Sequence, residues 1–393
     1  MLKRIIKKIA PSFLLDFYHY LLALTGAFLY GFPSWRLIII GVTGTSGKST
    51  IVELAAKILE EAGFKVASLS SIKFKIGEKE RENKLKMTMP GRLKIQKFLS
   101  QAVKTGCKYA VLEVTSEGIK QFRHKFIKFD VAVLTNLSPE HIEAHAGFEK
   151  YREAKLKLFK NTKKIHIINL DDENAEYFWK IPAEKKIGYR LNEAAKLLPK
   201  NLNLLGEFNL YNALAAVHIG LSQGISLDIC KRALEKIRGI PGRMEIVVKE
   251  PFIVVVDYAH TPEALKKVYE TLKGAKLICV LGACGGGRDK WKRPVLGKIA
   301  AKYCQEVIIT NEDPYDENPI EIIEQVAGDT NAKKVLDRGE AIKEALKLAQ
   351  PRDVVVITGK GSEPWMCVAH CKKIPWDDRQ VVKEKYKNLT KIR

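Results

Sequence analysis

Residues 41–50 read GVTGTSGKST. The spacing approaches the phosphate-binding pattern G-x-x-x-x-G-K-[ST], but that pattern puts glycine at position 42, where Val42 stands. The flanks decide the reading. WRLIIIGV (35–42) is a short apolar run of strand length, and IVELAAKILEEAGF (51–64) has helical spacing. A strand, a glycine-rich turn and Lys-Ser-Thr opening a helix form the mechanical core of a nucleotide-binding loop. Backbone N–H groups and the helix N-terminus gather there around phosphate oxygens. Gly44, Thr45, Ser46, Gly47 and Thr50 would line the phosphates, Lys48 would reach the β- and γ-phosphates, and Ser49 would ligate Mg²⁺.

The same rhythm runs on. CKYAVLEVTS (107–116), FDVAVLTNLS (129–138) and KKIHIINLDD (163–172) are apolar runs ending in polar residues, where parallel α/β sheets carry their chemistry. It restarts near Met244 with FIVVVDYAH (252–260), AKLICVLGACGGG (275–287), QEVIITNED (305–313) and RDVVVITGKG (352–361). Helical stretches separate these runs. The pattern predicts an α/β protein of two consecutive domains: a P-loop domain with a mainly parallel sheet over 37–243 and a Rossmann-like C-terminal domain over 244–393. They join near GIPGR (239–243).

Residues 1–36 stand apart as a short apolar, basic, helical segment. MLKRIIKKIAPS (1–12) is basic and amphipathic; residues 13–32 are largely apolar but carry Asp16 and His19. That stretch is about the ~20 residues needed to span a bilayer. Two readings stay open: a helix in the membrane interface held by Lys3, Arg4, Lys7 and Lys8, or a helical hairpin packed on the protein's own core.

With 46% hydrophobic and 28% charged residues, the 393-residue chain is globular and long enough for two or three domains. The net charge of +22 suits nucleotides, phosphosugars or an acidic membrane face. There is no basic stripe interleaved with aromatic residues, so no nucleic-acid partner is expected. Seven cysteines are scattered along the chain. Cys367 and Cys371 are spaced for one helical turn, but no second pair completes a zinc site. Buried free thiols are the expectation.

TGTSGKST (43–50) also resembles the TGTNGKTT loop of the Mur ligases and folylpolyglutamate synthetases, in which the early glycine is shifted. Further matches follow in order: EVTSEG (113–118), TNLSPEH (135–141), YREAKLKLF (151–159), INLDD (168–172), LLGEFNLYNALAA (204–216), PGRME (241–245) and DYAHTPEAL (257–265). GACGGGRDKWKRP (282–294), DRGEAI (337–342), TGKGSE (358–363) and PWDDR (375–379) close the series. The set GGxRDxxKRP, DYAHTP and GKGxE is similar to one branch, the UDP-N-acetylmuramoyl-tripeptide synthetases, which add the third amino acid of the peptidoglycan stem.

The resemblance implies an ATP-dependent amide ligase. A muramyl-peptide carboxylate is phosphorylated to an acyl phosphate, and the amine of an amino acid attacks it. Positioning and charge neutralisation do most of that work. By resemblance, Lys48, Glu113, His141 and Lys155 are the catalytic set, and Ser49, Glu113, His141 and Lys155 surround the metal, with Lys155 carrying a CO₂-derived carbamate. On residue type alone Lys155 is one basic residue in a lysine-rich helix. Asn209 and Asn212 would contact adenine; Arg243 and Asp257, with His260 close by, would hold the γ-phosphate and ribose, so that ATP binding closes the site as a lid. Thr88, Pro90, Thr115, Ser116 and Arg123 would lie along the acceptor. Arg288, Asp313, Tyr315, Gly359, Gly361 and Glu363 would form the amino-acid pocket, with an arginine on the α-carboxylate and an acid near the ammonium. The implied protein is a cytoplasmic monomer, with peripheral membrane association through residues 1–36 at the inner membrane face.

Three departures from the family pattern stand out. Only 36 residues precede the P-loop strand, where the family carries an N-terminal UDP-binding domain. That leaves a second reading, a Mur-like ligase or amidating enzyme acting on a lipid-linked or other carboxylate; a folate substrate fits less well because folylpolyglutamate synthetases lack the GGxRDxxKRP and GKGxE pair. DNPR is replaced by Glu312-Asp313-Pro314-Tyr315, and Asp316 and Glu317 follow, so an acidic pocket for lysine or ornithine is expected. Ser362 stands where GKGHE has histidine.

Overall fold

The computed structural model describes residues 11–85, 87–140 and 142–390. His141 and residues 1–10 lie outside them. The described chain divides into two compact units. The first takes residues up to Leu137, then Glu149–Leu202 and Asn209–Ile237; the second takes Ser138–Phe148, Asn203–Phe208 and residues from Arg238 onward.

The first unit opens with helix α1 (Ser12–Leu29), followed by strand β1 (Ile38–Thr43) and helix α2 (Lys48–Glu61). β1 is the sequence IIIGVT, and Ile39, Ile40 and Val42 are fully buried because the strand is covered on both faces. α2 buries Ile51, Leu54, Ala55, Ile58 and Leu59, a stripe at helical spacing. Next come β2 (Val66–Leu69), β3 (Lys73–Ile76), β4 (Lys79–Glu82), α3 (Arg92–Lys104), β5 (Tyr109–Glu113), β6 (Val131–Leu134), α4 (Phe148–Asn161), β7 (Ile165–Asn169) and β8 (Lys185–Tyr189). The sheet order is β4-β3-β2-β5-β1-β6-β7-β8, parallel from β2 to β8, with an antiparallel ribbon of β3 and β4 on one edge. β1 therefore lies between β5 and β6, and the loops leaving these three strands share one end of the sheet. Helix α5 (Glu207–Ser222) carries the asparagine pair.

The second unit holds β9 (Glu245–Val248), β10 (Ile253–Val256), β11 (Leu277–Leu281), α6 (Lys292–Tyr303), β12 (Glu306–Thr310), β13 (Lys333–Val335), α7 (Arg338–Leu348) and β14 (Val354–Ile357). Their order is β13-β12-β11-β14-β10-β9, parallel apart from β9. IVVV, LICVL and VVVI feed two apolar cores that share this sheet. The hairpin β15 (Trp365–Val368) and β16 (Lys372–Pro375) precedes the last helix, α8 (Asp378–Thr390).

Two sequence expectations change. Cys279 on β11 is disulfide-bonded to Cys304, just past α6, with Cα atoms 6.2 Å apart, so these two are not free thiols. Their separation of 25 residues hides a proximity that the strand–helix return creates. Cys107, Cys230 and Cys284 are not disulfide-bonded. Cys367 lies on β15 and residue 371 ends a short 3₁₀ turn, so they do not share a helical turn. Of the N-terminal segment, the described residues form one helix, α1, followed by a 3₁₀ turn (Pro33–Arg36), and α1 packs on α3; the basic stretch 1–10 on which the hairpin reading also rests lies outside the described residues. No helix among the described residues is long and apolar enough to cross a membrane.

One buried ion pair holds the second unit's helices. Arg338 Nε and Nη2 donate to the two oxygens of Asp378 at 2.8 and 2.7 Å, Trp376 Nε1 donates to the same carboxylate at 2.8 Å, and both charged side chains are 0% exposed. Asp378→Ala would leave a buried guanidinium uncompensated. We expect it to lower unfolding free energy by about 3–5 kcal/mol. Urea denaturation checks this; a change within about 1 kcal/mol would contradict the role given to the pair.

Candidate functional site

The P-loop leaves β1 with two left-handed glycines. Gly44 has φ +148°, and a Cβ there would collide with the Thr135 hydroxyl; Gly47 has φ +82°, and a Cβ there would collide with Asn212 Oδ1. The loop is held from β6's end: Thr45 N donates to Asn136 O at 2.9 Å and Ser46 N to Asn136 Oδ1 at 2.9 Å. Thr135 Oγ1 donates to Ser46 O at 2.7 Å, and Thr45 Oγ1 lies 3.1 Å from Tyr151 OH. The amides of Thr45 and Ser46 thus serve the loop's own shape. The helix α2 begins at Lys48, and a helix N-terminus of this kind favours an anion.

At the same sheet end β5 delivers Glu113. Its Oε2 accepts from Ser49 Oγ at 2.7 Å and Ser71 N at 2.9 Å, and its Oε1 lies 4.0 Å from Lys48 Nζ. Lys48 Nζ folds back onto the carbonyls of Gly44 and Thr45 at 3.1 and 2.7 Å. A hydroxyl and a carboxylate in contact are hard oxygen donors that suit Mg²⁺. Among the described residues there is no group of three or more His, Cys, Asp and Glu side chains that would cage a metal.

Lys155 on α4 is 1% exposed; its Nζ donates to Gly44 O at 2.7 Å and lies 4.6 Å from the Tyr151 ring centre. α5 places Asn212 Nδ2 3.0 Å from Asn209 Oδ1, with Asn212 against Gly47. Of the expected acceptor residues, Pro90 and Ser116 are buried, Thr88 is half-buried, and Thr115 Oγ1 accepts from Gly118 N at 3.0 Å to cap a short helix. Arg123 donates to Met89 O at 2.6 Å and Gln121 Oε1 at 2.7 Å. Burial, with Arg92 nearby, pulls its pKa down to about 10.

In the second unit, the Arg243 guanidinium lies 4.2 Å from the Tyr258 ring centre. Asp257 accepts from Met244 N and Ala259 N, each at 2.7 Å. Burial pushes the Asp257 carboxyl up, while Arg243 and the backbone donors pull it down. His260 Nδ1 donates to Tyr258 O at 2.9 Å, and burial together with Lys292 keeps its ring well below the ordinary histidine range, hence neutral. Arg288 has Cys284, Tyr258, Tyr315 and Glu140 as electrostatic neighbours. Next to His141, Glu140 pairs with Lys292 at 3.0 Å, and Asp289 accepts from Ile142 N and Glu143 N at 3.3 and 3.1 Å.

The acids expected to make an acidic pocket around Tyr315 are largely engaged with other parts of the chain. Lys360 Nζ donates to both Asp313 oxygens at 2.9 Å and also binds Glu363, while Cys367 N donates to Asp313 at 2.7 Å. Asp316 accepts from His370 N, Glu317 from Arg293, and Glu312 from the Cys284 thiol. Asp313 and Glu317 face cations, whereas Glu312 Oε2 is buried with no hydrogen-bond partner among the described residues, so the charge of the run is offset in part. Tyr315 adopts φ 54° and packs on Gly286; Gly359 abuts Glu312, and Gly361 abuts Gly242 and Tyr258. Sequence reasoning missed Asn136, Tyr151, Ser71 and Lys360. Three of them lay inside or beside quoted motifs and carried no distinguishing residue type.

A P-loop with a carboxylate on its serine, followed by a second α/β unit, defines a nucleotide-dependent enzyme. Residues 42–220 match the Mur ligase middle domain, and residues 242–361 match the Mur ligase, glutamate ligase domain. The chain is 38% identical over 400 residues to UDP-N-acetylmuramoyl-L-alanyl-D-glutamate–2,6-diaminopimelate ligase 1 of Clostridium acetobutylicum, covering 94% of this chain and 82% of that one. It is 39% identical over 399 residues to the corresponding ligase of Syntrophomonas wolfei, covering 92% and 81%. A solved structure of a ligase of that name superposes with TM-score 0.58 at 31% identity, covering 90% and 79%. The ADP complex of Mycobacterium tuberculosis folylpolyglutamate synthase gives TM-score 0.70 over 86% and 91%; at 17% identity this is likeness of fold. The chain belongs to the Mur ligase family, and it is an ATP-dependent acid–amino-acid ligase.

Proposed function

We propose that this ligase adds the third amino acid to a muramyl-peptide carboxylate in peptidoglycan precursor synthesis. The observation that carries the reading is the Lys48–Ser49–Glu113 contact set at the ends of β1 and β5. ATP and Mg²⁺ supply the phosphoryl group and its charge neutralisation. Lys48 holds phosphate, Ser49 and Glu113 hold the metal, and His141 and Lys155, as a carbamate, complete the metal surroundings. Asn209, Asn212, Arg243, Asp257 and His260 take the nucleotide. Thr88, Pro90, Thr115, Ser116 and Arg123 take the acceptor, and Arg288, Tyr315, Gly359, Gly361 and Glu363 the amino acid. Residues 37–243 form the ATP-binding domain and 244–393 the amino-acid domain of a cytoplasmic monomer.

The test is phosphate release from ATP and Mg²⁺ with UDP-N-acetylmuramoyl-dipeptide, offering lysine, ornithine and diaminopimelate in turn. Release should require the acceptor and one of the three. If ATP binds but no amino acid supports release, the acceptor is a different carboxylate, and a lipid-linked stem peptide is the next to offer.

A further inference from the structure

We propose that the outer face of α1 is a docking surface for an anionic membrane, so that the ligase works on the lipid surface. The helix packs inward on α3 through Ala23, Gly26 and Ala27; Gly26 is so close that a Cβ would lie 3.3 Å from Leu93 Cα. Its other side carries Leu14, Phe17, Tyr18, Leu21, Phe28 and Leu29, spaced as one helical stripe and all exposed. Phe17 is 63% and Phe28 75% exposed, and Trp35, just beyond the helix, is 71% exposed. A stripe of large apolar side chains this open marks a surface that something covers. No helix among the described residues is long and apolar enough to cross a bilayer, and the proposal lays α1 along the surface, where aromatic side chains sit between headgroups and acyl chains.

Charge selects the occupant. α1 contains no lysine or arginine, but α3 beneath it exposes Lys94 and Lys97. Tyr20 stacks edge-on against Phe122 and Phe126, in a segment that exposes Lys120 and Lys128. Arg92, an electrostatic neighbour of Tyr18, keeps Nε and Nη2 buried without a hydrogen-bond partner among the described residues. In the sequence, Lys3, Arg4, Lys7 and Lys8 lead into the helix. Two copies of a chain with net charge +22, paired through this face, would bring like charges together, whereas an anionic headgroup layer attracts them.

Flotation of the full chain with phosphatidylglycerol-containing and pure phosphatidylcholine vesicles tests this without any substrate, so its result is separate from the ligase assay. Binding should favour the anionic vesicles, weaken with salt, and fall at least about tenfold when Phe17→Glu, Leu21→Glu and Phe28→Glu are combined. These side chains point outward, so the melting temperature should hold. Lys94→Glu with Lys97→Glu should weaken anionic binding while leaving the apolar face intact. No flotation of the natural chain, equal binding to both vesicle types, or unchanged binding of the face variant would overturn the proposal. So would a dimer that the face variant dissolves, which would make a second copy the occupant.

Discussion

Glu113→Gln should reduce kcat for acceptor-dependent phosphate release by about 10³-fold while leaving the protein folded. The carboxylate sits at the end of a buried strand, where its Oε2 receives Ser49 Oγ at 2.7 Å and Ser71 N at 2.9 Å. A glutamine oxygen can still accept from Ser71 N, so the local fold keeps its hydrogen bond and the melting temperature should change little. What disappears is one negative charge, 4.0 Å from Lys48 Nζ and in contact with the P-loop serine. In a site shielded from water that charge counts for far more than in solution. Apparent Mg²⁺ affinity should fall in parallel, because few hard oxygens from this chain share the burden. Glu113→Ala should cost stability as well, about 1–3 kcal/mol, by leaving the Ser71 amide without its acceptor. Glutamine activity within about tenfold of the natural enzyme would remove Glu113 from the metal site.

The strands that position this chemistry were legible because they are buried on both faces. Each of the eight apolar runs read from the sequence carries one: β1, β5, β6 and β7 in the first unit, β10, β11, β12 and β14 in the second. The strands left unread are short or lie toward sheet edges. KERE of β4 is exposed along its whole length and carries no apolar alternation, and β13 has only three residues. At the site, residue type announced Lys48, Ser49 and Glu113, since a P-loop and a strand-end carboxylate have few other uses. Asn136 was not announced. It shapes the loop through one backbone and one side-chain acceptor, and an asparagine after a strand has many ordinary roles. The acids near Tyr315 were counted without their partners. Lys360, 0% exposed and 47 residues along the chain from Asp313, offsets that carboxylate together with the one of Glu363. Linear sequence shows charge but not pairing, and pairing decides whether a buried charge is offered to a ligand.

Lys155 should prove as sensitive, but in a different way: Lys155→Met is expected to lower kcat by about 10²–10³-fold, and the natural enzyme's activity should depend on dissolved CO₂. The side chain is buried, with Nζ 2.7 Å from Gly44 O on the P-loop, so whatever charge it carries is felt at the phosphates. As an ammonium it would add a second cation beside Lys48 and the metal. Carbamylation would take one proton from the ammonium; attack of the neutral amine on CO₂ would then form an N–C bond with loss of a second proton, and a carbamate anion that complements Mg²⁺ would replace the cation. Methionine keeps much of the volume, so packing against Tyr151 should survive and a loss of activity would report chemistry. Three readouts then separate the carbamate from a plain lysine. Rigorous removal of CO₂ should lower activity, and bicarbonate should restore it. A small carboxylate such as formate or acetate should partly rescue Lys155→Ala, where a cavity exists to hold it. A lysine acting as a cation predicts the reverse pattern: indifference to CO₂, no rescue by carboxylates, and partial function in Lys155→Arg.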